Sequence, residues 1–399
     1  MKIFLINTLY HPNIVGGAER SVQFLAESLV QEGYEAVVVT TIDGKDKVDY
    51  LNGVKVYYLS LKNLYHPYVN HKETKVNSAL KPLWHTFDIY NPLMAAKVEK
   101  IIVAERPDLV HTNNIAGFSV AIWQLIKKLR LPLVHTLRDY YLICSRKYIM
   151  FRNGQNCESP CFDCKAYSFA KRQVSNSVDV VIGISQFILD RHLNLNYFSQ
   201  TSCQKVIYNS YQAKAYSRTE SSRLRLGYLG RIEQAKGFYF LLQTLQKLSN
   251  QNWELNVGGR ITDEKIANLR SRYPLPNVNY LGFVKPEVFF SEIDVLVVPS
   301  LWQEPLGRIV LEAYAYGVPV IGSNRGGIPE IIDSGSTGFV FNPEREETLL
   351  EIIEKFMDNR NLSFKMGKNA LTKSHLFSNK TILNSYMETY KNSIITASK

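Results

Sequence analysis

The chain has 399 residues, more than a single hydrophobic core usually serves, so we expect two domains of roughly 200 residues each. Hydrophobic residues make up 45% and charged residues 21%, a soluble globular composition that excludes a disordered or membrane-spanning chain. The net charge of +11 comes from Lys and Arg spread along the chain without a nucleic-acid-binding motif, so no nucleic acid is expected as a partner.

A solvated basic face accounts for this charge, and attraction to an anionic membrane is the alternative. The apolar run at residues 3–6 ends at polar Asn7, which is too short for a signal-peptide core and predicts a buried strand. No run approaches the ~20 apolar residues of a spanning helix. We therefore expect a cytoplasmic protein, with peripheral contact at the cytoplasmic face of the inner membrane left open by the charge.

Apolar segments alternate with helical patterns along the chain. Strands are predicted in the first half at residues 3–7, 36–40, 108–111, 133–137 and 178–182, and helices at residues 18–31 and 118–129. The second half predicts strands at residues 226–229, 254–257, 278–281, 294–298 and 318–321, and helices at residues 238–248, 263–273 and 306–316. This alternation is the βαβ signature of parallel sheets covered on both faces.

The predicted fold class is α/β, with two doubly wound Rossmann-like domains facing a central cleft. The polar stretch 209–223 reads as the linker between them. We predict an N-terminal domain at residues 1–210 with a cysteine-bearing insertion at about 140–168, a C-terminal domain at 211–375, and a helix at 376–399. Two or three helices are predicted within residues 346–392, with a break near Ser378 and Asn379.

Polar groups of the first half follow predicted strands. Gly16 and Gly17 open the first helix, so the Gly17 N–H can meet a phosphate, although the G-x-G-x-x-G spacing is missing and a plain tight turn is the alternative. His111, Asn113 and Arg138 lie at carboxyl ends of strands, where side chains reach a substrate. A satisfied polar strand end is the alternative for each.

Four of the five cysteines lie close together in sequence, at Cys144, Cys157, Cys161 and Cys164. Four thiolates within so short a loop can close a tetrahedral zinc site and hold an insertion that lacks its own core. A reduced or disulfide-capable cluster and an iron–sulfur centre are the alternatives.

The segment from Glu304 to Glu312 carries two carboxylates with seven residues between them. A mostly helical interval would separate them by ~12 Å, beyond the ~5 to 9.5 Å of a hydrolase acid and base pair. The spacing suits one extended ligand held at two places, a hexose at Glu304 and a ribose at Glu312. Backbone N–H groups of Leu306 and Gly307 can bind a phosphate between them. A capped helix with one exposed Glu is the alternative.

Basic residues and glycines surround this segment in the predicted fold. Gly230 and Arg231 end a strand, and Lys236 precedes the next helix, a combination suited to a diphosphate. Taken singly, each basic residue reads as a solvated surface charge. The sequence Gly-Gly-Ile-Pro-Glu at residues 326–330 predicts a glycine turn after a later strand, and a plain loop is the alternative.

These motifs together resemble the retaining glycosyltransferase family 4, whose members share the two-domain GT-B fold, and the likeness runs nearly end to end. The motifs that carry it are residues 16–19, Gly230-Arg231 with Lys236-Gly237, and residues 304–312 with 326–330. The cysteine-bearing insertion resembles a subset of bacterial members, which suggests surface polysaccharide assembly.

The resemblance implies that residues 1–210 form the acceptor-side domain, that residues 211–375 form the donor domain, and that the helix at 376–399 returns toward the N-terminal domain. It also implies roles for single residues. Arg231 and Lys236 would hold the donor diphosphate, Glu304 the transferred sugar and Glu312 the ribose. Gly17, Gly230, Leu306 and Gly307 would complete the donor site, and Glu19 with His111, Asn113 and Arg138 would lie on the acceptor side. The family retains anomeric configuration and usually needs no metal, so no cofactor is expected for catalysis. The zinc considered above would have a structural role only.

Asn113 departs from the family pattern. Many relatives carry H-x-H here, and His111 matches the first position while Asn113 occupies the second; Arg138 likewise stands where a His is common. Because an amide cannot titrate near neutral pH, no His general base is expected at Asn113.

The predicted function is transfer of a sugar from a nucleotide-diphosphate sugar to a glycan or lipid-linked acceptor. A nucleotide-sugar epimerase or a hydrolase on the same architecture is one alternative, and a non-catalytic sugar-nucleotide binding protein is another. The sequence does not identify the sugar, the base or the acceptor.

Overall fold

The structure is a computed structural model that describes residues 1–68, 79–145, 148–213 and 221–397. Its contacts divide the chain into two compact units. The N-terminal unit comprises Met1–Met150, Glu158–Asn209 and Ile382–Lys399, and the C-terminal unit comprises Phe151–Cys157 and Ser210–Thr381. Part of the predicted linker, residues 214–220, lies outside the described residues.

The N-terminal unit alternates strands and helices. Its strands are β1 (Lys2–Ile6), β2 (Glu35–Ile42), β3 (Lys47–Leu51), β4 (Val54–Ser60), β5 (Leu109–Thr112) and β6 (Leu133–Leu137), followed beyond the insertion by β9 (Val180–Gly183) and β10 (Cys203–Val206). Its helices are α1 (Gly17–Gln31), α2 (Leu80–Ile89), α3 (Pro92–Glu105), α4 (Ala121–Lys128), α5 (Phe162–Ser175) and α6 (Gln186–Leu193). Between β6 and β9 the chain forms a short hairpin of β7 (Phe151–Arg152) and β8 (Gln155–Asn156), which belongs to the C-terminal unit.

Eight strands of the N-terminal unit form one sheet in the order β10-β9-β6-β5-β1-β2-β4-β3. The pairs are parallel except for β3 with β4, which is an antiparallel edge that the alternation of apolar segments did not predict. The order runs outward in both directions from the neighbours β1 and β5. Loops after these two strands therefore emerge side by side at the carboxyl edge, where α/β proteins bind ligands.

The C-terminal unit has the same plan. Its strands are β11 (Leu224–Leu229), β12 (Trp253–Gly258), β13 (Val278–Gly282), β14 (Val295–Val298), β15 (Val320–Ser323) and β16 (Gly338–Phe341). Its helices are α7 (Phe238–Leu245), α8 (Asp263–Arg272), α9 (Pro286–Ser291), α10 (Arg308–Ala315), α11 (Ile328–Ile331), α12 (Glu347–Asp358) and α13 (Asn361–Ser374). Short 3-10 turns cover Gln234–Lys236 and His375–Phe377. The last helix of the chain is α14 (Asn379–Ala397), which belongs to the N-terminal unit from Ile382 onward.

The six strands of this unit pair in the order β13-β12-β11-β14-β15-β16, and all pairs are parallel. Numbered within the unit, this is the 3-2-1-4-5-6 order of dinucleotide-binding sheets. The order reverses between β11 and β14, so the loops after these two strands open the crevice of the sheet. Val295, Leu296 and Val297 are almost fully buried, as expected for a strand covered on both faces.

Side chains at helix starts explain where several helices begin. The Asn91 side chain accepts a hydrogen bond from the Met94 N–H, Ser185 does the same for Ile188, and Thr262 for Lys265. Each side chain satisfies one backbone donor that the first helical turn leaves unpaired. The sequence sets these boundaries locally.

Helix α14 shares the core of the N-terminal unit. Its residues Ile382, Leu383, Tyr386 and Tyr390 are buried in the same cluster as β1, β2 and α1. Full burial of such a side chain contributes roughly 1.5 to 3 kcal/mol, so this face ties the chain end to the unit. Among the described helices, none has the length and hydrophobicity that a bilayer crossing requires.

Candidate active site

The reversal point of the C-terminal sheet gathers the residues that the sequence singles out. The loop after β11 carries Gly230, Arg231 and Lys236, and the loop after β14 carries Glu304. β11 and β14 are hydrogen-bonded neighbours, with Leu226 opposite Val295. The strand order therefore brings together groups that are distant in sequence.

Lys236 and Glu304 form the central contact of this site. The Lys236 Nζ lies 2.6 Å from Glu304 Oε1, and the Ser300 hydroxyl donates to the same oxygen at 2.7 Å. The Glu304 side chain is 9% exposed and that of Lys236 is 24% exposed. The ammonium also lies 5.1 Å from the centre of the Trp302 ring, within the range of a cation–π contact. The carboxylate and the ammonium are thus held in contact and largely shielded from solvent.

Two glycines let the backbone around this pair approach closely. A Cβ at Gly237 would lie 1.6 Å from the carbonyl oxygen of Pro299, and a Cβ at Gly326 would lie 1.9 Å from that of Glu304. Both residues have positive φ, 70° and 61°. The Gly327 N–H donates to the Glu304 carbonyl at 2.8 Å. Only glycine fits these positions. The loops after β11 and β15 can therefore pack directly against the loop after β14.

The segment between Glu304 and Glu312 is less helical than the sequence predicts. Helix α10 begins at Arg308, and Gly307 before it has φ 85° with a Cβ position 2.8 Å from an Ile328 side-chain carbon. The helix predicted from residue 306 begins two residues later, so the separation of ~12 Å derived from a mostly helical interval no longer follows. The reason is tertiary, because the Glu304 backbone bonds to Gly327 instead of to a helical turn.

Leu306 and Gly307 nevertheless lie at the start of a helix, as predicted. Their backbone N–H groups have no hydrogen-bond partner among the described residues. Donors of this kind at the positive end of α10 are suited to an anion. Leu306 itself is buried, so its N–H is held in place.

Glu312 lies one turn into α10 and pairs with the same helix. Its Oε1 is 3.3 Å from Arg308 Nε, an i to i+4 contact, and its side chain is 17% exposed. The Arg308 guanidinium lies 5.9 Å from the centre of the Tyr211 ring. Glu312 therefore belongs to a second polar cluster in the unit, separate from the Lys236 contact.

Arg231 is the most exposed of the predicted donor residues. Its side chain is 68% exposed and pairs with Glu233 at 3.0 Å, while the Tyr228 hydroxyl donates to its carbonyl at 2.7 Å. The Gly230 N–H donates to the carbonyl of Gly258 on the next strand. The backbone of this loop is fixed, and the guanidinium is able to turn toward a ligand.

In the N-terminal unit, the loops after β1 and β5 join at its own reversal point. The Thr8 N–H donates to the Asn114 carbonyl at 2.7 Å, and the Asn114 N–H donates to the Asn7 side chain at 3.0 Å. Gly17 is the first residue of α1, following this loop. The Glu19 carboxylate accepts from the Gly16 N–H at 2.8 Å and caps its own helix.

His111 is built into the core of the N-terminal unit. Its Nδ1 lies 2.7 Å from the Tyr390 hydroxyl and its Nε2 lies 2.8 Å from the Thr136 hydroxyl. Burial, with smaller effects of Arg138 and His135, holds the pKa of His111 well below its ordinary value. Both ring nitrogens are taken by protein groups in this arrangement, which favours the satisfied strand end that the sequence left as an alternative.

Asn113 and Arg138 form a buried polar chain. The Arg138 Nε donates to Asn113 Oδ1 at 2.8 Å, and its Nη1 donates to the Asn209 side-chain oxygen at 2.8 Å. Asn113 Nδ2 is buried and has no hydrogen-bond partner among the described residues. A buried amide donor without a partner costs free energy unless a ligand or water completes it. Of the predicted acceptor-side residues, Asn113 thus has a donor left for a bound hydroxyl.

The cysteine-bearing insertion brings two of its sulfurs together. Cys144 Sγ and Cys164 Sγ are 3.9 Å apart, close to the edge of about 3.8 Å that Zn–S bonds of about 2.3 Å give a tetrahedral site. Hydrogen bonding with Cys144, aided by Ser145 and Cys161, lowers the pKa of Cys164 below its usual range. Within the described ranges, no group of three or more His, Cys, Asp or Glu side chains is arranged for a metal. The zinc site, with Cys157 as the fourth ligand, stays a prediction.

Several residues at the site were not anticipated. Ser300, Trp302 and Gln303 lie in the loop after β14, and their position at the end of a strand was the only available signal. The β7–β8 hairpin contacts the same loop through Asn156. Its Asn153-Gly154 turn is a recognisable hairpin sequence, but its place in the C-terminal unit has no local signal.

Comparison with known proteins agrees with this fold. A family model described as Glycosyl transferases group 1 matches residues 213–373, and one described as Glycosyltransferase Family 4 matches residues 15–214. A protein of Klebsiella pneumoniae described as an uncharacterized 42.6 kDa protein in cps region is 38% identical over 336 residues, which cover 83% of this chain and 87% of that protein.

Solved structures share the fold. Sucrose-phosphate synthase from Thermosynechococcus elongatus has a TM-score of 0.77 at 19% identity, covering 100% of both chains. HepE of Anabaena in complex with UDP and glucose has a TM-score of 0.71 at 21% identity, covering 98% of this chain and 100% of that one.

The family matches and the two doubly wound units define a glycosyltransferase of the GT-B fold, which confirms the predicted α/β class with two Rossmann-like domains. The chain belongs to glycosyltransferase family 4, also described as glycosyl transferases group 1.

Proposed function

We propose that the protein transfers a hexose from a nucleotide-diphosphate sugar to a glycan or lipid-linked acceptor, with retention of anomeric configuration, in bacterial surface polysaccharide assembly. Two comparisons support the donor and the pathway. HepE was solved with UDP-glucose, and the Klebsiella pneumoniae relative is described as a protein of the cps region.

The observation that carries the proposal is the Lys236 and Glu304 contact at the reversal point of the C-terminal sheet. At that point a parallel sheet places a nucleotide, with its phosphates toward helix N-termini. The ammonium is 2.6 Å from Glu304 Oε1, and Glu304 shortly precedes Leu306 and Gly307, whose N–H groups lie at the start of α10. A diphosphate bound there would meet Lys236 and these N–H groups, while Glu304 remains available to sugar hydroxyls.

The chemistry follows from the charge that develops during transfer. The bond between the sugar C1 and the diphosphate oxygen breaks, the acceptor oxygen bonds to C1 on the same face, and the acceptor proton passes to a phosphate oxygen of the leaving group. Charge builds up on the diphosphate, and Arg231, Lys236 and the N–H groups near Gly307 stabilise it. Since two cations serve this role, we propose that no metal ion is needed.

On the acceptor side, we propose that Asn113 Nδ2 donates to an acceptor or sugar hydroxyl. Arg138 holds the other end of the amide at 2.8 Å, so the orientation of the donor is fixed. Asn113 does not move the proton, because an amide has no pKa near neutral pH. The positive net charge would hold the protein near an anionic membrane that carries a lipid-linked acceptor.

Product analysis tests this proposal. Purified protein is screened with nucleotide-diphosphate sugars, beginning with UDP-glucose, in the absence and in the presence of EDTA. The configuration of the linkage formed is determined by NMR. Transfer that retains the anomeric configuration, persists in EDTA and is lost in Glu304→Gln supports the proposal. An isomerised sugar still attached to its nucleotide would identify an epimerase, and binding without turnover would identify a non-catalytic sensor.

A further inference from the structure

The insertion that carries the cysteines also supplies a piece of the C-terminal unit. Residues Phe151–Arg152 and Gln155–Asn156 pair as the antiparallel strands β7 and β8. The two residues between them, Asn153 and Gly154, have φ of 51° and 82°, the left-handed pair that a tight two-residue hairpin requires. The Asn-Gly sequence thus builds a defined hairpin in this region.

The hairpin touches the loop of Glu304 through one side chain. Asn156 Nδ2 donates to the Leu301 carbonyl at 2.7 Å, and the Gln303 N–H donates to Asn156 Oδ1 at 2.8 Å. The amide therefore bonds the carbonyl and the N–H on either side of Trp302, the two groups that a residue of a neighbouring parallel strand would bond. An Asn side chain offers a donor and an acceptor at this reach, and Asp or Ala offers at most one of them.

The contacts continue from Asn156 to the charged pair. The Gly326 N–H donates to the side-chain oxygen of Gln303, and the next residue along the loop is Glu304. On the other side of the loop, the Leu301 N–H donates to the Ala235 carbonyl at 2.9 Å, and Ala235 precedes Lys236.

The turn of the hairpin also reaches the 3-10 turn Gln234–Lys236. A Cβ built on Gly154 would lie 2.8 Å from the side-chain nitrogen of Gln234. One hairpin therefore contacts both loops that carry the charged pair, the loop of Lys236 at Gly154 and the loop of Glu304 at Asn156.

We propose that the hairpin Phe151–Cys157 supports the donor site through Asn156, which is a positioning residue for Glu304. The inference rests on the proposed role of Glu304. Loop 299–304 has no regular secondary structure, so its conformation is held by bonds from its neighbours. Asn156 bonds it between Leu301 and Gln303, directly before the residue that would contact the sugar.

Kinetics of Asn156→Ala and Asn156→Asp test this role, with Gln155→Ala as the matched control. Gln155 is the adjacent hairpin residue and is exposed. With the most active nucleotide-diphosphate sugar, we expect kcat to fall about 10- to 100-fold in both Asn156 variants, because small displacements of a reacting group have effects of this size. The KM for donor should change less than kcat, and Gln155→Ala should match the wild type.

Hydrogen–deuterium exchange supplies a readout that does not depend on turnover. Exchange in residues 299–307 should speed up in Asn156→Ala and stay unchanged in Gln155→Ala. Unchanged exchange and unchanged kcat in Asn156→Ala would overturn the inference. Faster exchange with wild-type kcat would also overturn it, since the hairpin would then be a structural support alone.

The two proposals fail in different ways. If the wild type transfers no sugar from any donor tested, the proposed function fails, and the exchange experiment still decides whether Asn156 holds the loop. If the wild type is active and Asn156→Ala equals it in both measurements, the positioning inference fails while the proposed function stands.

Discussion

Removing Lys236 separates the structural and chemical roles of its contact with Glu304. In Lys236→Met the Glu304 carboxylate, whose side chain is 9% exposed, loses its ammonium partner and keeps the Ser300 hydroxyl. Breaking a fully buried ion pair costs roughly 3 to 5 kcal/mol. Because Lys236 is 24% exposed, we expect about 2 kcal/mol, or a Tm lower by about 4 to 8 °C for a unit of this size.

The double variant Lys236→Met with Glu304→Gln resolves the two roles. It removes both charges, so the buried carboxylate no longer lacks a partner, and most of the lost stability should return. Transfer should stay at least about 100-fold below the wild type in the single and double variants, because the contribution of Lys236 to stabilising the diphosphate charge is lost in each. Thermal unfolding and kcat/KM measure the two effects on the same preparations.

Lys247→Met is the matched control for these variants. Lys247 forms an ion pair with Glu346 in the same unit, and its side chain is 58% exposed. An exposed pair of this kind contributes at most about 1 kcal/mol, so stability and activity should change little. Wild-type kcat/KM in Lys236→Met would refute the catalytic role, and a double variant as unstable as the sum of the single variants would refute the coupling.

Three further changes probe other parts of the molecule. Gly326→Ala should displace the loop of Glu304 and lower activity more than 10-fold, since its Cβ would lie 1.9 Å from the Glu304 carbonyl oxygen. Gly335→Ala is the control, because Gly335 also has positive φ (85°) but no atom lies within 4 Å of its Cβ position. It should lower the stability by only about 1 kcal/mol. Burial lowers the pKa of His135 to about 3, so between pH ~6.5 and about 3 the unfolded chain binds a proton there that the folded chain does not, and wild-type stability falls as pH falls. Within that window His135→Gln should gain up to about 1.4 kcal/mol per pH unit relative to the wild type, and parallel curves of Tm against pH would refute this. If the cysteines hold zinc, elemental analysis should find about one zinc ion per chain, lost in Cys164→Ser, and metal-free wild type would contradict the prediction.

Local sequence patterns determined much of the fold. The alternation of apolar and helical segments predicted parallel sheets in both halves, and the strand orders of the two units show them. Such patterns succeed because a strand that is buried on both faces appears in the sequence as a short, continuous run of apolar residues. The antiparallel strand β3 escaped this reasoning, because residues 47–51 are mostly exposed at the edge of the sheet.

The motifs also identified the loops of the site, although not their conformation. Gly326 was predicted in a glycine turn and has positive φ. Gly237 and Gly307, which the motifs placed at helix starts, also have positive φ. The sequence wrongly predicted a helix from residue 306, because Glu304 bonds to Gly327, a partner from the next loop that no local pattern names.

Tertiary structure decided which of these groups meet. Lys236 and Glu304 are 68 residues apart and pair because the sheet order makes β11 and β14 neighbours, and strand order is not encoded in any one segment. His111 is held by Tyr390, 279 residues away, and Asn156 comes to the loop of Glu304 from an insertion in the first half of the chain. Hydrophobic periodicity specifies which face of an element is buried, whereas the partner on that face is set by the packing of the whole unit.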